Sequence, residues 1–269
     1  MLPFAANLST LFTERPLLER FEASARCGFQ YVEIQFPYEA SLEELRYALK
    51  HTGQSLILIN APAGNWSDGD RGIACQPERQ TEFQDGVPLA LEYAKALNVK
   101  QVNCLSGIEN PNVDKILAEN TFIENLRYAV NTLKQSGIRL LIEPINTIDI
   151  PGFWLNSTAQ AVKIIEQSKL TGDLFVQFDA YHMQMMGENL TESFLKHQAM
   201  IHHVQVADAP GRHEPGTGEI DFDAFFHVLK RANYQGFVSF EYFPATTTAQ
   251  GLPHLAPWHD DKRRWVTAT

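Results

Sequence analysis

Short apolar runs and amphipathic stretches alternate along the whole chain. The apolar runs have the length and composition of buried strands, and they fall at residues 4–8, 29–36, 55–61, 101–105, 138–142, 174–178, 202–206 and 237–240. Between them, apolar residues recur at helical spacing. This spacing predicts helices that begin near Pro16, Ser41, Glu78, Asp114, Asn156, Asn189 and Asp221, with at most one partial helix in the tail 246–269.

Strict alternation without a change in composition predicts an α/β fold, a single (β/α)8 TIM barrel that occupies residues 1–269 as one domain. A doubly wound open sheet is the alternative. That fold would need a glycine-rich phosphate-binding sequence after the first strand, and the chain has none there.

Polar residues stand at the ends of the last four predicted strands. They are Glu143, Asp179, Gln205 and Glu241, and each follows an apolar residue that we expect to face the helices. Because side chains alternate along a strand, these four should point together into the barrel. Oxygen ligands gathered in this way suit one hard divalent cation, Mg²⁺ or Mn²⁺.

The first four strands also carry polar residues near their ends. Asn7 and Glu33 are candidate substrate contacts, and Asn60 and Asn103 extend the polar pocket mouth. We expect His182 on a loop directly after Asp179, and Arg212 on the loop after strand seven, where it would meet a substrate carboxylate. In strand seven, His203 should face inward with Gln205, and His202 should face the helices.

Composition and charge narrow the classes of function. The 269 residues are 44% hydrophobic and carry a formal net charge of −10, which argues against a nucleic-acid or anionic-membrane surface. Three widely spaced cysteines, no signal-peptide pattern and no membrane-spanning run predict a cytoplasmic protein. The polar stretch 62–77 is either a lid over the site or a plain surface excursion.

A carboxylate-held cation flanked by two glutamates suits one chemistry. The cation would bind a carbonyl oxygen and the adjacent hydroxyl of a substrate and stabilise an enediolate. Glu143 and Glu241 would remove a proton from one carbon and return one to its neighbour. The sequence contains no nucleophile elbow or P-loop.

The chain resembles the hydroxypyruvate isomerase family, including its 2-oxo-tetronate isomerase branch, among the xylose isomerase-like TIM barrels. The resemblance lies in residues 4–9, 12–14, 28–29, 32–33, 36–38, 89–94, 125–129, 212–215, 218–220 and 234–236. It implies the metal set Glu143, Asp179, Gln205 and Glu241, acid/base roles for Glu143 and Glu241, and substrate contacts at His182 and Arg212. It also implies a 2-oxo acid substrate, interconverted as hydroxypyruvate and tartronate semialdehyde or as the four-carbon equivalent.

Three other functions remain open on the sequence. Ketose 3-epimerases of this superfamily have a histidine where this chain has Gln205, and abasic-site endonucleases use several metal ions, many histidines and a basic groove. A sugar-acid-binding barrel without activity would be expected to lack one of the two glutamates. A homo-oligomer is possible.

Overall fold

Eight parallel strands close into a barrel in chain order. The computed structural model describes residues 2–258, and its strands are β1 (Phe4–Asn7), β2 (Tyr31–Ile34), β3 (Ser55–Asn60), β4 (Gln101–Cys104), β5 (Arg139–Ile142), β6 (Leu174–Asp179), β7 (Ile201–Val206) and β8 (Phe237–Phe240). Pairing of β1 with β8 closes the sheet. The predicted TIM barrel is confirmed.

Helices connect the strands and cover the outside of the barrel. They are α1 (Leu17–Arg26), α2 (Leu42–Thr52), α3 (Gln80–Ala96), α4 (Lys115–Leu133), α5 (Thr158–Ser168), α6 (Ala180–Met185), α7 (Leu190–His197), α8 (Phe222–Arg231) and α9 (Thr248–Gly251), with short 3-10 turns at Trp66–Asp68, Pro77–Arg79, Lys134–Ser136 and Leu252–Trp258. Several begin at the polar residues that the sequence indicates. The side chains of Ser41, Asp114, Asn189 and Asp221 each accept a hydrogen bond from a backbone N–H in the first turn.

Strand alternation divides the barrel into an apolar outer layer and a mixed interior. The residues before the four strand-end polar groups, Ile142, Phe178, Val204 and Phe240, are fully buried in the main hydrophobic core. The ring of Phe178, for example, packs against Phe194 of α7 and Phe225 of α8. This packing holds the strands in the register that turns their polar neighbours inward.

A separate apolar cluster fills the barrel interior below the polar end. Its buried members are Ala5, Ile57, Leu58, Leu141 and Phe175. The polar residues at the strand ends therefore lie on an apolar base, in a region of low dielectric where charges interact strongly.

An irregularity in β7 makes one sequence expectation wrong. Val176 pairs with Ile201 and Gln177 pairs with His203, so His202 is an extra residue in β7. Its ring stacks on inward-facing Phe175 with 3.6 Å between ring centroids, and it lines a cavity of about 690 Å³ at the N-terminal end of the barrel. Simple alternation fails at a bulge, which is why His202 does not face the helices as expected.

The second half of the stretch 62–77 packs onto the barrel. Ile73, Ala74 and Cys75 are buried, while Trp66 is 41% exposed and its ring packs against Phe36. Whether this stretch closes over the site stays a prediction. The single domain over residues 1–269 also stays a prediction, because residues 259–269 lie outside the described part. Among residues 2–258, no helix is long and apolar enough to cross a membrane.

Candidate active site

The polar residues expected at the strand ends meet at the C-terminal end of the barrel. Seven of them are at most 4% exposed: Asn7, Glu33, Glu143, Asp179, His182, Gln205 and Glu241. The side chain of Arg212 is 17% exposed and reaches the same cluster. The structure thus brings together every side chain that the sequence nominated, and their roles remain predictions.

Asp179 ends β6 and starts the short helix α6. Its Oδ1 accepts hydrogen bonds from the backbone N–H groups of Tyr181 and His182, at 2.8 and 3.4 Å. This leaves Oδ2 for the site. His182 is therefore on the first turn of a helix and not on a loop, contrary to expectation, because an aspartate at a strand end also makes a good helix N-cap.

Glu143, Asp179 and His182 form a buried group that could hold a metal ion. One potential ligand atom from each lies within 4.8 Å of the others. His182 Nε2 is 3.6 Å from Asp179 Oδ2 and 4.0 Å from Glu143 Oε1.

The hydrogen bonds of Asn146 assign a proton within the His182 ring. Asn146 Oδ1 accepts from the backbone of Ile148 and Asp149, and Nδ2 donates to Asp149 Oδ2. The same Nδ2 lies 2.7 Å from His182 Nδ1. Burial, together with the Arg212 charge, holds the pKa of His182 well below its usual value, so the ring is neutral. Nδ1 then accepts and Nε2 carries the proton, which favours a donor role for Nε2 over a ligand role.

Arg212 lies between two of the acids. Its Nη2 donates to Glu241 Oε1 at 2.6 Å and to Asp179 Oδ2 at 3.5 Å, and its guanidinium packs over the rings of Tyr181 and Phe243. The backbone of Arg212 is in the left-handed region, with φ of +56°, which costs free energy and is typical of functional loops. Its buried Nε has no hydrogen-bond partner among the described residues.

Burial disfavours the ionised form of the three carboxylates. It raises the pKa of Glu143 to about 8, with a further contribution from the Asp179 charge. Burial also raises the pKa of Asp179, and it raises the pKa of Glu241 far above its ordinary value even though the Arg212 charge opposes the shift. If all three carboxylates are ionised, they carry three negative charges, and the single guanidinium of Arg212 balances only one of them. This donor set therefore fits a divalent cation, which would supply the missing positive charge.

Gln205 and Glu33 lie at the base of this cluster. Gln205 Nε2 donates to Glu33 Oε1 at 2.7 Å and also to Glu241 Oε2, and Asn7 Nδ2 donates to both glutamates, at 2.8 and 2.6 Å. The other oxygen of Glu33 is 2.7 Å from His203 Nε2. Burial opposes the charge of Glu33, but His203 and Gln205 more than offset it and hold the pKa of Glu33 below its usual value. Because Glu33 is fully buried and both of its oxygens are engaged, its geometry suits support of the site better than the predicted contact with substrate.

Four further residues of the site were not nominated as contacts from the sequence. Gln35 donates to Glu241 Oε1 at 3.1 Å, and Gln177 donates to Gln205 Oε1 at 2.6 Å. The other two are His203, which bonds Glu33, and Asn146, which bonds His182. Gln35, Gln177 and His203 each lie two residues from a nominated residue. Strand alternation predicted the inward orientation of His203, and it could have identified Gln35 and Gln177 in the same way. Asn146 lies in an irregular turn that carries no such signal. Asn103, which the sequence placed at the pocket mouth, donates to Glu143 Oε2 at 2.8 Å.

Comparisons with known proteins agree with the fold. The family model for xylose isomerase-like TIM barrels matches residues 21–265. The chain is 48% identical to hydroxypyruvate isomerase of Escherichia coli K12, over 96% of this chain and 100% of that protein. It is 38% identical to 2-oxo-tetronate isomerase of Cupriavidus necator, over 95% of this chain and 98% of that one.

A solved structure extends the comparison to three dimensions. The crystal structure described as an AP endonuclease of family 2 from Brucella melitensis superposes with a TM-score of 0.93 and 41% identity, and the match covers 97% of this chain and 100% of that chain. Its description names a different activity from those of the two relatives, although the fold is the same. Full-length identity to the two isomerases decides the family, and the chain belongs to the hydroxypyruvate isomerase family, including 2-oxo-tetronate isomerases, within the xylose isomerase-like TIM barrels.

Proposed function

We propose that this protein is a metal-dependent isomerase that moves the carbonyl group of a small 2-oxo acid between neighbouring carbons. The observation that carries the proposal is the buried group of Glu143, Asp179 and His182, which has the spacing of a metal site. Arg212 joins Asp179 of this group to the second buried glutamate, Glu241. The names of the two relatives support the same reaction class.

The carboxylates of Glu143, Asp179 and Glu241, with the amide oxygen of Gln205, are the residues that would hold the cation. Mg²⁺ or Mn²⁺ suits such a set of oxygen donors. When bound, the ion would polarise the substrate carbonyl and stabilise the negative charge of the enediolate.

Glu143 and Glu241 are the groups that would move protons. In hydroxypyruvate, one glutamate takes a proton from the hydroxymethyl carbon, and the C–H electron pair forms the enediolate double bond. The other glutamate returns a proton to the former carbonyl carbon, and the hydroxyl proton moves between the two oxygens, so the product is tartronate semialdehyde. Burial raises the pKa of both glutamates in the metal-free protein. A bound cation would oppose that shift, so each glutamate could be ionised when it accepts a proton and protonated when it gives one.

Arg212 and His182 are the groups that would orient the substrate. The unpartnered Nε of Arg212 is one donor for a substrate carboxylate. Nη2 donates to Glu241 and Asp179 in the metal-free protein, and it would become the second prong when a bound cation holds those acids. The proton on His182 Nε2 points toward the acids, where it can donate to a substrate oxygen.

The endonuclease description of the Brucella structure gives a second candidate function. Hydrolysis of a DNA strand needs a basic surface that tracks phosphates, whereas this chain carries a net charge of −10. Within residues 2–258, only one group of histidine, cysteine and acidic side chains has the spacing of a metal site. Both observations favour the isomerase.

A parallel assay of the purified protein tests the proposal against its alternatives. Hydroxypyruvate, 2-oxo-tetronates, D-fructose and a duplex with one abasic site are each incubated with protein that has been treated with EDTA and then supplied with Mg²⁺ or Mn²⁺. We expect turnover of at least one 2-oxo acid, its loss with EDTA and its return with metal. Faster turnover of D-fructose would establish the epimerase, strand cleavage would establish the endonuclease, and binding of a 2-oxo acid without any turnover would establish a binding protein.

A further inference from the structure

Gln205 differs from the other proposed metal ligands because the two ends of its side chain are chemically different. The amide oxygen can bind a cation, whereas the NH₂ group only donates hydrogen bonds. A carboxylate presents an oxygen whichever way it is turned. The orientation of the Gln205 amide therefore decides whether β7 contributes a ligand at all.

The hydrogen bonds around Gln205 fix that orientation. Nε2 donates to Glu33 Oε1 at 2.7 Å and to Glu241 Oε2, so both of its hydrogens are engaged. Oε1 accordingly faces the other way, toward β6, where Gln177 Nε2 donates to it at 2.6 Å. β6 is the strand that ends in Asp179. Gln177 also hydrogen-bonds Glu143, so Gln205 Oε1 lies on the side of that acid. An amide oxygen has two lone pairs, and Gln177 uses one of them.

Glu33 is itself held so that it can only accept. It is fully buried, Asn7 Nδ2 donates to its Oε1 at 2.8 Å, and His203 Nε2 lies 2.7 Å from its Oε2. Glu33 Oε1 accepts from Asn7 and from Gln205 and so lies among donors, and a reversed Gln205 amide would place its oxygen against this acceptor with no hydrogen between them. This contact would be repulsive in a buried setting.

We propose that Glu33, held by His203, is a positioning residue that directs the amide oxygen of Gln205 toward the metal site. The proposal rests on the proposed function, because it assumes that a divalent cation binds among Glu143, Asp179 and Glu241. Glu33 acts through Gln205 and makes no contact with the reacting atoms.

The test measures Mn²⁺ binding by isothermal titration in the absence of substrate. Glu33→Gln and Glu33→Asp are compared with wild type, and Glu33→Gln is also made together with Gln205→Glu and compared with Gln205→Glu alone. Loss of a residue that orients a ligand typically weakens metal binding by about 10–100-fold. We expect this loss for Glu33→Gln, because its single amide oxygen cannot accept from His203 and from Gln205 at the same time. We expect it for Glu33→Asp as well, because the shorter side chain keeps the charge but withdraws it from Gln205.

The Gln205→Glu background separates orientation from charge. A glutamate at position 205 has two equivalent oxygens and needs no orientation, and its charge would be repelled by Glu33. Adding Glu33→Gln to Gln205→Glu should leave Mn²⁺ affinity unchanged or increase it. The same substitution in the wild-type background should instead weaken Mn²⁺ binding.

Two results would overturn the inference. One is an equal loss of affinity on Glu33→Gln in both backgrounds, which would mean that Glu33 attracts the metal by its charge alone. The other is a Glu33→Asp protein that binds Mn²⁺ as wild type does. Far-ultraviolet circular dichroism and urea unfolding in EDTA check that each variant folds, and if Glu33→Gln does not fold, Glu33→Asp decides. A wild type that binds no Mn²⁺ would instead refute the proposed function, so the two failures are distinguishable.

Discussion

The raised pKa of Glu143 predicts how the stability of the metal-free protein depends on pH. Glu143 titrates at about 8 in the folded protein, against an ordinary value of 4.5. The folded state therefore binds this proton more tightly than the unfolded state does. The resulting stability is fully present below about 4.5 and is lost as pH rises toward about 8. One such group contributes a slope of at most about 1.4 kcal/mol per pH unit.

Glu143→Gln removes this titration with little change in shape, and Asn103 can still donate to the remaining side-chain oxygen. From pH 5.5 to 7.5, the free energy of unfolding of wild type should fall by about 2 kcal/mol more than that of the variant. Asp179 and Glu241 titrate in both proteins, so the difference between the two curves reports Glu143 together with its effect on the titration of those neighbours.

The assay is urea unfolding in EDTA at pH 5.5, 6.5 and 7.5. Glu43→Gln, on the exposed side of α2, is the matched control and should follow wild type. Saturating Mn²⁺ should make the pH dependence of the free energy of unfolding more alike in wild type and Glu143→Gln, because the ion takes the place of the proton on Glu143. Parallel curves for wild type and Glu143→Gln in EDTA would refute the reasoning that burial keeps this carboxyl group protonated.

Three further substitutions test other parts of the account. Glu241→Gln should reduce kcat by about 10²–10⁴-fold, the usual contribution of a positioned acid or base, and titration calorimetry should still detect Mn²⁺ binding; a loss of kcat that excess metal restores would argue for a purely ligating role. Arg212→Lys replaces a two-pronged donor by a single ammonium group, so steady-state kinetics should show a higher KM for a 2-oxo acid, and an unchanged KM would remove Arg212 from substrate binding. Phe178→Ala should lower the free energy of unfolding by about 3–5 kcal/mol in urea titrations, because it opens a cavity between the barrel and α7 and α8; a change below about 1 kcal/mol would contradict the packing described here.

Strand periodicity carried most of the structural prediction. Alternation of apolar and polar residues placed Glu143, Asp179, Gln205 and Glu241 on one side of their strands, and the barrel brings their side chains together. The same rule placed His203 inward with Gln205, and applied two residues before Asp179 it would also have found Gln177. The polar residues at helix starts could also be predicted from the sequence, because an N-cap is a local interaction between a side chain and the following turn.

Sequence patterns did not predict the features that depend on how distant parts of the chain pack together. His202 lies at a bulge, and a bulge depends on how two strands pair and not on the composition of either one. The short helix α6 was missed because Asp179 serves both as a strand end and as an N-cap. The contact of Arg212 with Glu241 depends on a left-handed backbone conformation in the loop after β7, which no periodic pattern signals.

The central claim is that Glu143 and Glu241 move protons on a 2-oxo acid at a metal site, and proton exchange measures this directly. Hydroxypyruvate is incubated in D₂O with metal-free protein, with Mn²⁺-loaded protein and with Mn²⁺-loaded Glu241→Gln, and the recovered compounds are analysed by NMR after the metal is removed. The account predicts deuterium at the former carbonyl carbon of tartronate semialdehyde in the loaded wild type, and only background incorporation at that carbon in the other two samples. Rapid incorporation there by the metal-free protein, or undiminished incorporation by Glu241→Gln, would contradict it.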